Sequence, residues 1–178
     1  MQKETLSPKI LCLCALFVAL LVLGAYLKIP LSIIPVSTQT LFVLLIGLLL
    51  KPPYAIITCL AYLFLGLMGL PVFAQGGGIG YVFNPTFGYL LGFVFGVWVM
   101  GKLLPASSYF RLLLVSFAGL GVIYLFGSIY YYLLATLYLG RSIAIGTLLT
   151  TCVLTTLPSD CVWAILATYL AKRLKKHL

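Results

Sequence analysis

Only two acids occur in this 178-residue chain, Glu4 and Asp160, and its one histidine is His177. Glu4 and His177 stand in the terminal segments. Asp160 stands 19 residues after Arg141 and 12 before Lys172, well inside an apolar run. A carboxylate within a membrane span costs about 2.5–3.5 kcal/mol or more unless it is paired. Asp160 therefore reads as a hydrogen-bond acceptor for a polar ligand, with a structural partnership to a neighbouring Thr or Tyr as the alternative. Pro158 precedes it by two positions. Proline lacks a backbone donor and breaks the helical ladder, which frees carbonyls and opens space. Leu157-Pro158-Ser159-Asp160 thus reads as a broken-helix site, or as a simple kink without a ligand.

A second group of candidates lies in Pro71-Val72-Phe73-Ala74-Gln75-Gly76-Gly77-Gly78-Ile79-Gly80 and the Tyr81-Val82-Phe83-Asn84-Pro85-Thr86-Phe87-Gly88-Tyr89 that follows. Consecutive glycines let the backbone turn sharply and approach a ligand closely. Phe73, Tyr81, Phe83 and Tyr89 supply flat apolar surface, and Asn84 and Thr86 supply hydrogen bonds. Asn84-Pro85-Thr86 also suits the start of a helix. The stretch reads as the lid and wall of a pocket, or as a connector with interfacial aromatics. Ala15 and Ala19, four apart, form a small-residue stripe that lets another helix pack closely. No G-x-x-x-x-G-K-[ST] motif occurs, so ATP hydrolysis by that route is excluded. No histidine or second acid stands within the spans to serve an intramembrane protease or a metal site.

The elements that must hold these residues are membrane helices. The hydrophobic fraction is 63% and the charged fraction 7%, and the mean hydropathy is +1.23. Too few polar residues remain to cover a water-soluble surface. Six apolar segments are expected, about 10–27, 31–50, 53–70, 86–104, 112–139 and 143–171, in one transmembrane domain over 1–178. The fold class is all-α, a polytopic membrane protein. The first segment is longer than a usual signal-peptide core and is read as a retained helix. Lys3, Lys9, Lys51, Lys102, Arg111, Lys172, Arg173, Lys175 and Lys176 fall on one side, and Lys28 and Arg141 on the other. That bias predicts cytoplasmic termini in a plasma membrane. It also accounts for the net charge of +9 without a nucleic-acid partner. Cys12, Cys14, Cys59, Cys152 and Cys161 all stand in apolar runs and read as small buried hydrophobes.

Several of these stretches together resemble the BioY family, the biotin-binding membrane subunits (S components) of energy-coupling-factor (ECF) transporters. They are Ile29-Pro30 through Gln39-Thr40-Leu41, Gly69-Leu70-Pro71-Val72-Phe73 with its glycines, Pro85-Thr86-Phe87-Gly88-Tyr89-Leu90-Leu91-Gly92, and Leu157-Pro158-Ser159-Asp160. The resemblance spans nearly the whole chain. It implies an ECF S-component fold with an outward-facing biotin pocket capped by the loop after the third helix. It implies further that Asp160 accepts from a ureido N–H, that Asn84 donates to the ureido oxygen, and that Tyr89 and Phe73 lie nearby. Tyr81, Thr86, Gly76, Gly77, Gly78 and Trp163 complete the expected ligand-binding set. The family commonly has a lysine where Trp163 stands, so the ligand's carboxylate would fall to Lys28, Arg141 or backbone N–H groups of the glycines. Ala15 and Ala19 match the element that meets the transmembrane coupling subunit. The implied partners are biotin, membrane lipid, that coupling subunit and separate ATPase subunits. No cofactor is expected, biotin being transported rather than retained, and no enzymatic activity. The competing readings are the same fold serving another vitamin or a biotin precursor, and a membrane scaffold without a ligand.

Overall fold

A computed structural model describes residues 7–29, 34, 36–105, 108–140 and 143–176. Lys3, Glu4, Pro30, Arg141 and His177 lie outside the described residues. Helix α1 (Pro8–Tyr26) begins with proline in its first turn, where a missing N–H leaves no internal bond unmade. The chain then forms a short antiparallel ribbon of β1 (Lys28–Ile29) and β2 (Val36–Ser37), with Lys28 opposite Ser37.

Helix α2 (Gln39–Leu49) is consequently much shorter than the expected segment 31–50. Prolines in the sequence between residues 28 and 37 disfavour helix just before them, and the ribbon takes up the backbone groups instead. Helix α3 (Pro52–Leu67) again opens on prolines. A loop with one 3₁₀ turn (Ile79–Phe83) leads to α4 (Phe87–Leu103). Helix α5 (Tyr109–Leu133) continues through a π-helical segment (Leu134–Tyr138). The last crossing is composite, with α6 (Ile145–Leu149), a π-helical segment (Thr150–Leu154) and α7 (Leu157–Leu174).

Among the described residues, six helical segments traverse the fold. Among the described residues, Pro8–Tyr26, Tyr109–Tyr138 and Ile145–Leu174 are long and apolar enough to cross a membrane unaided, and α2, α3 and α4 are shorter. Short α2 is the central post. It packs against α1, α3, α4, α5 and α7, and Val43, Leu44 and Ile46 are wholly buried. The outer surface is apolar: Leu11, Leu16 and Leu23 on α1, Phe64 on α3, Leu125 on α5 and Ile165 on α7 are all exposed. Such a belt is expected where lipid is the solvent. Helices α4 and α5 cross closely, because a Cβ at Gly92 would sit 2.9 Å from the Ile123 Cα.

A capped cavity around Asp160

Asp160 lies in the first turn of α7 and is buried. Its position follows from a helix break. Thr155 N bonds back to Thr150 O (3.2 Å), and Thr156 N bonds to Val153 O (3.2 Å), so the ladder changes register there and α7 starts afresh. The Cys152 carbonyl accepts instead from the Tyr89 hydroxyl (2.7 Å). The break therefore falls upstream of Pro158, not at it. Pro158 occupies the opening turn of α7, where its missing N–H is one of the helix's unpaired donors anyway. The expectation of a proline-broken ladder is corrected in that respect. The new N-terminus sets the positive end of the helix dipole next to the carboxylate.

Asp160 Oδ2 accepts a hydrogen bond from the Tyr124 hydroxyl (2.5 Å), and Thr156 Oγ1 donates to that hydroxyl in turn (3.2 Å). One carboxylate oxygen is thus oriented by α5. The group also borders a cavity of about 590 Å³, counting its opening to solvent. Of the expected residues, Asp160, Tyr81, Thr86 and Tyr89 line it. Polar residues that sequence reasoning gave no ligand role also line it, namely Ser37, Gln39, Thr40, Tyr124 and Thr156, beside apolar Ile34, Leu90, Phe93 and Ile123. One signal was available for Tyr124: it stands mid-span in Tyr109–Tyr138, whereas membrane tyrosines favour the interfaces.

The loop after α3 covers this cavity and contributes Ala74 and Tyr81 to its wall. It is tied down at several points. Tyr26 OH donates to Pro71 O, and Tyr130 OH to Val82 O. Gln39 Nε2 donates to Tyr62 OH (2.6 Å), which donates to Val72 O (2.8 Å). Phe73 and Gly76 exchange backbone bonds of 2.9 and 3.2 Å, and Gly78 N reaches Gly66 O at 2.7 Å. Gly76 and Gly78 take φ of +116° and +98°, which side chains rarely adopt. At Gly77 a Cβ would lie 2.0 Å from Leu70 O.

Other expected residues serve behind the wall. Phe73 is buried edge-on to Tyr62 (centroids 5.4 Å apart) and against Tyr81 (4.6 Å). Asn84 Oδ1 accepts from Thr86 N (3.0 Å) and Thr86 Oγ1 (2.8 Å), and Asn84 Nδ2 donates to Gln75 Oε1 (2.7 Å). Because Thr86 spends its one hydroxyl proton on Asn84, Tyr81 OH donates to Thr86 Oγ1 (2.8 Å). Asn84 is therefore a brace for Thr86 and is not on the cavity wall. The backbone N–H groups of Gly76 and Gly78 are already bonded, so they do not form a free cradle for a carboxylate. Trp163, one turn beyond Asp160, is half-buried off the cavity lining, and its indole N–H has no partner among the described residues. Ala15 and Ala19 are exposed on α1, away from buried Cys14, Phe17 and Leu21.

Among the described residues no group of His, Cys, Asp or Glu forms a metal cluster. A helical membrane protein that encloses a mixed polar and aromatic cavity beneath a braced loop belongs to the class that takes hold of small solutes. The chain belongs to the BioY family, whose model matches residues 1–178. It is 37% identical over 180 residues to the probable biotin transporter BioY of Lysinibacillus sphaericus, covering 98% of this chain and 89% of that protein. It is 43% identical over 114 residues to the biotin transporter BioY of Thermotoga maritima, covering 63% of this chain and 68% of that one. Its fold is similar to the crystal structure of the S-component for biotin from an ECF-type ABC transporter. There the TM-score is 0.81 and the identity 25%, over 99% of this chain and 95% of the other.

Proposed function

We propose that this chain is the biotin-capturing S component of an ECF-type uptake system. It is a transport subunit and not an enzyme. The observation that carries the reading is the buried Asp160 carboxylate on the wall of a capped cavity, with one oxygen oriented by Tyr124. Biotin presents two ureido N–H donors, a carbonyl, an apolar thioether ring and an anionic tail. The second oxygen of Asp160 accepts from a ureido N–H, a charge-assisted bond of about 1.5–3 kcal/mol. Tyr89 and Phe93 pack on the rings, at about 25 cal/mol per Å² of apolar surface covered. Ser37 brings a hydroxyl to the same wall for the ureido carbonyl. Lys28, opposite Ser37 in the ribbon, takes the ligand carboxylate, a role for which Trp163 has no charge.

The lysine-rich end faces the cytoplasm, so the loop after α3 faces outside and releases and re-forms its tethers as biotin enters. A transmembrane coupling subunit docks on the Ala15 and Ala19 stripe and links the chain to separate ATPase subunits. The test is equilibrium binding of labelled biotin, thiamine and riboflavin to the detergent-purified chain. Saturable binding of biotin alone is expected, and failure to bind biotin would refute the reading.

A further inference from the structure

A second concavity lies at the opposite end of the molecule from the capped cavity. It opens between the start of α1, the junction of α2 and α3, and the end of α7, with about 960 Å³ of free space counting its open side. Lys9, Lys51 and Lys175 converge on it from three separate elements, over an apolar floor that includes Ile10, Leu13 and Leu49. Asp160 is the sole acid among the described residues and sits in the other cavity, so no described carboxylate faces Lys9 or Lys175. Burial pushes the Lys175 ammonium below its ordinary value, the effect of a cation partly withdrawn from water without a described counter-ion.

The neighbouring basic group differs. Lys172 lies over the Tyr109 ring (5.9 Å) and Arg173 over the Tyr169 ring (5.2 Å), so those cations rest on aromatic faces. The site at Lys9 and Lys175 instead combines converging positive charge with an apolar floor at the end of the spans. A free inorganic anion has no use for that floor, and a neutral acyl chain has none for the lysines. Both match one amphiphile with a phosphodiester head.

We infer that this pocket binds an anionic phospholipid, its phosphodiester held by Lys9 and Lys175 and an acyl chain on the Ile10, Leu13 and Leu49 floor. The inference goes beyond the biotin reading and does not depend on it. The test incubates the full chain in neutral detergent with equimolar phosphatidylglycerol and phosphatidylcholine, and counts retained lipid by native mass spectrometry. Phosphatidylglycerol should be retained at least about tenfold over phosphatidylcholine, at roughly 1 kcal/mol or fivefold per lysine. Lys9→Gln combined with Lys175→Gln should abolish most of that preference. Lys172→Gln combined with Lys176→Gln, an equal loss of charge, should leave it within about twofold. Millimolar inorganic phosphate should not displace the lipid.

Equal loss in both double variants would mean diffuse surface charge and would overturn the site. Displacement by inorganic phosphate would make it a free-anion site. An unchanged lipid preference in the first double variant, with loss of coupling-subunit co-purification, would make it a protein interface. The wild-type preference and the phosphate competition need no variant, so poor folding of either double variant leaves the inference exposed to refutation.

Discussion

Replacing Asp160 with Asn separates a ligand-binding carboxylate from a structural one, because the two roles predict opposite signs. In the native site Oδ2 is held by the Tyr124 hydroxyl at 2.5 Å, and Thr156 supports that hydroxyl. The Tyr124 proton still requires an acceptor in Asp160→Asn, so the amide oxygen turns to Tyr124 and the NH₂ turns into the cavity. There it meets a ureido N–H, donor against donor. Losing the charge-assisted bond costs about 1.5–3 kcal/mol, a factor of roughly 10 to 150 in biotin affinity. The ligand-free protein keeps the Tyr124 bond and sheds a buried formal charge, so its unfolding temperature should hold or rise. Tyr124→Phe retains the carboxylate and loses only its orientation, so its affinity should fall less. Labelled-biotin binding and thermal unfolding on the same preparations read both signs. Affinity within about threefold of wild type, or a large drop in stability with affinity intact, would show that the carboxylate serves the fold and not the ligand.

The cap gives two further expectations. Gly77→Ala drives a Cβ into the Leu70 carbonyl oxygen, backbone against side chain with no rotamer to relieve it. A cost of about 1–3 kcal/mol should appear as a fall of several degrees in unfolding temperature and faster biotin release. Gly80→Ala, with nothing within 4 Å, should change neither, and equal behaviour of the two variants would contradict the packed loop. Tyr62→Phe removes the hydroxyl between Gln39 and Val72, so biotin dissociation should quicken and stability fall by about 1–3 kcal/mol; unchanged dissociation would show that this tether does not hold the loop. At the exposed stripe, Ala15→Leu with Ala19→Leu should leave biotin affinity within about twofold and abolish co-purification with the coupling subunit, whereas intact co-purification would place docking elsewhere.

Local chemistry in the sequence marks some features and not others. Pro8, Pro52 and Pro53 open helices because a proline's fixed φ and missing donor suit a first turn wherever it occurs. Asn84-Pro85-Thr86 leads into α4 differently, because Pro85 lies just before the N-cap Thr86 and Asn84 Oδ1 accepts from Thr86 N. The start of α2 is set by backbone pairing between residues 28–29 and 36–37, a long-range event that no apolar run reveals. Asp160 is conspicuous because an acid in an apolar run needs a reason. Tyr124 is one of 12 tyrosines, and only the packing of α5 against α7 makes it the partner of Asp160. Phe73 and Asn84 have side chains suited to binding, and packing turns them to bracing the loop. The register change at residues 150–156 escapes sequence reading because a π-helical segment has no composition of its own; its consequence is that Tyr89 binds the carbonyl left free.

A structure of the biotin complex would show directly whether Asp160 is a ligand-binding carboxylate. A ureido nitrogen is expected about 2.7–3.2 Å from an Asp160 carboxylate oxygen, with Tyr124 still on the other oxygen. An Asp160 bonded only to Tyr124, with biotin seated elsewhere, would contradict that role.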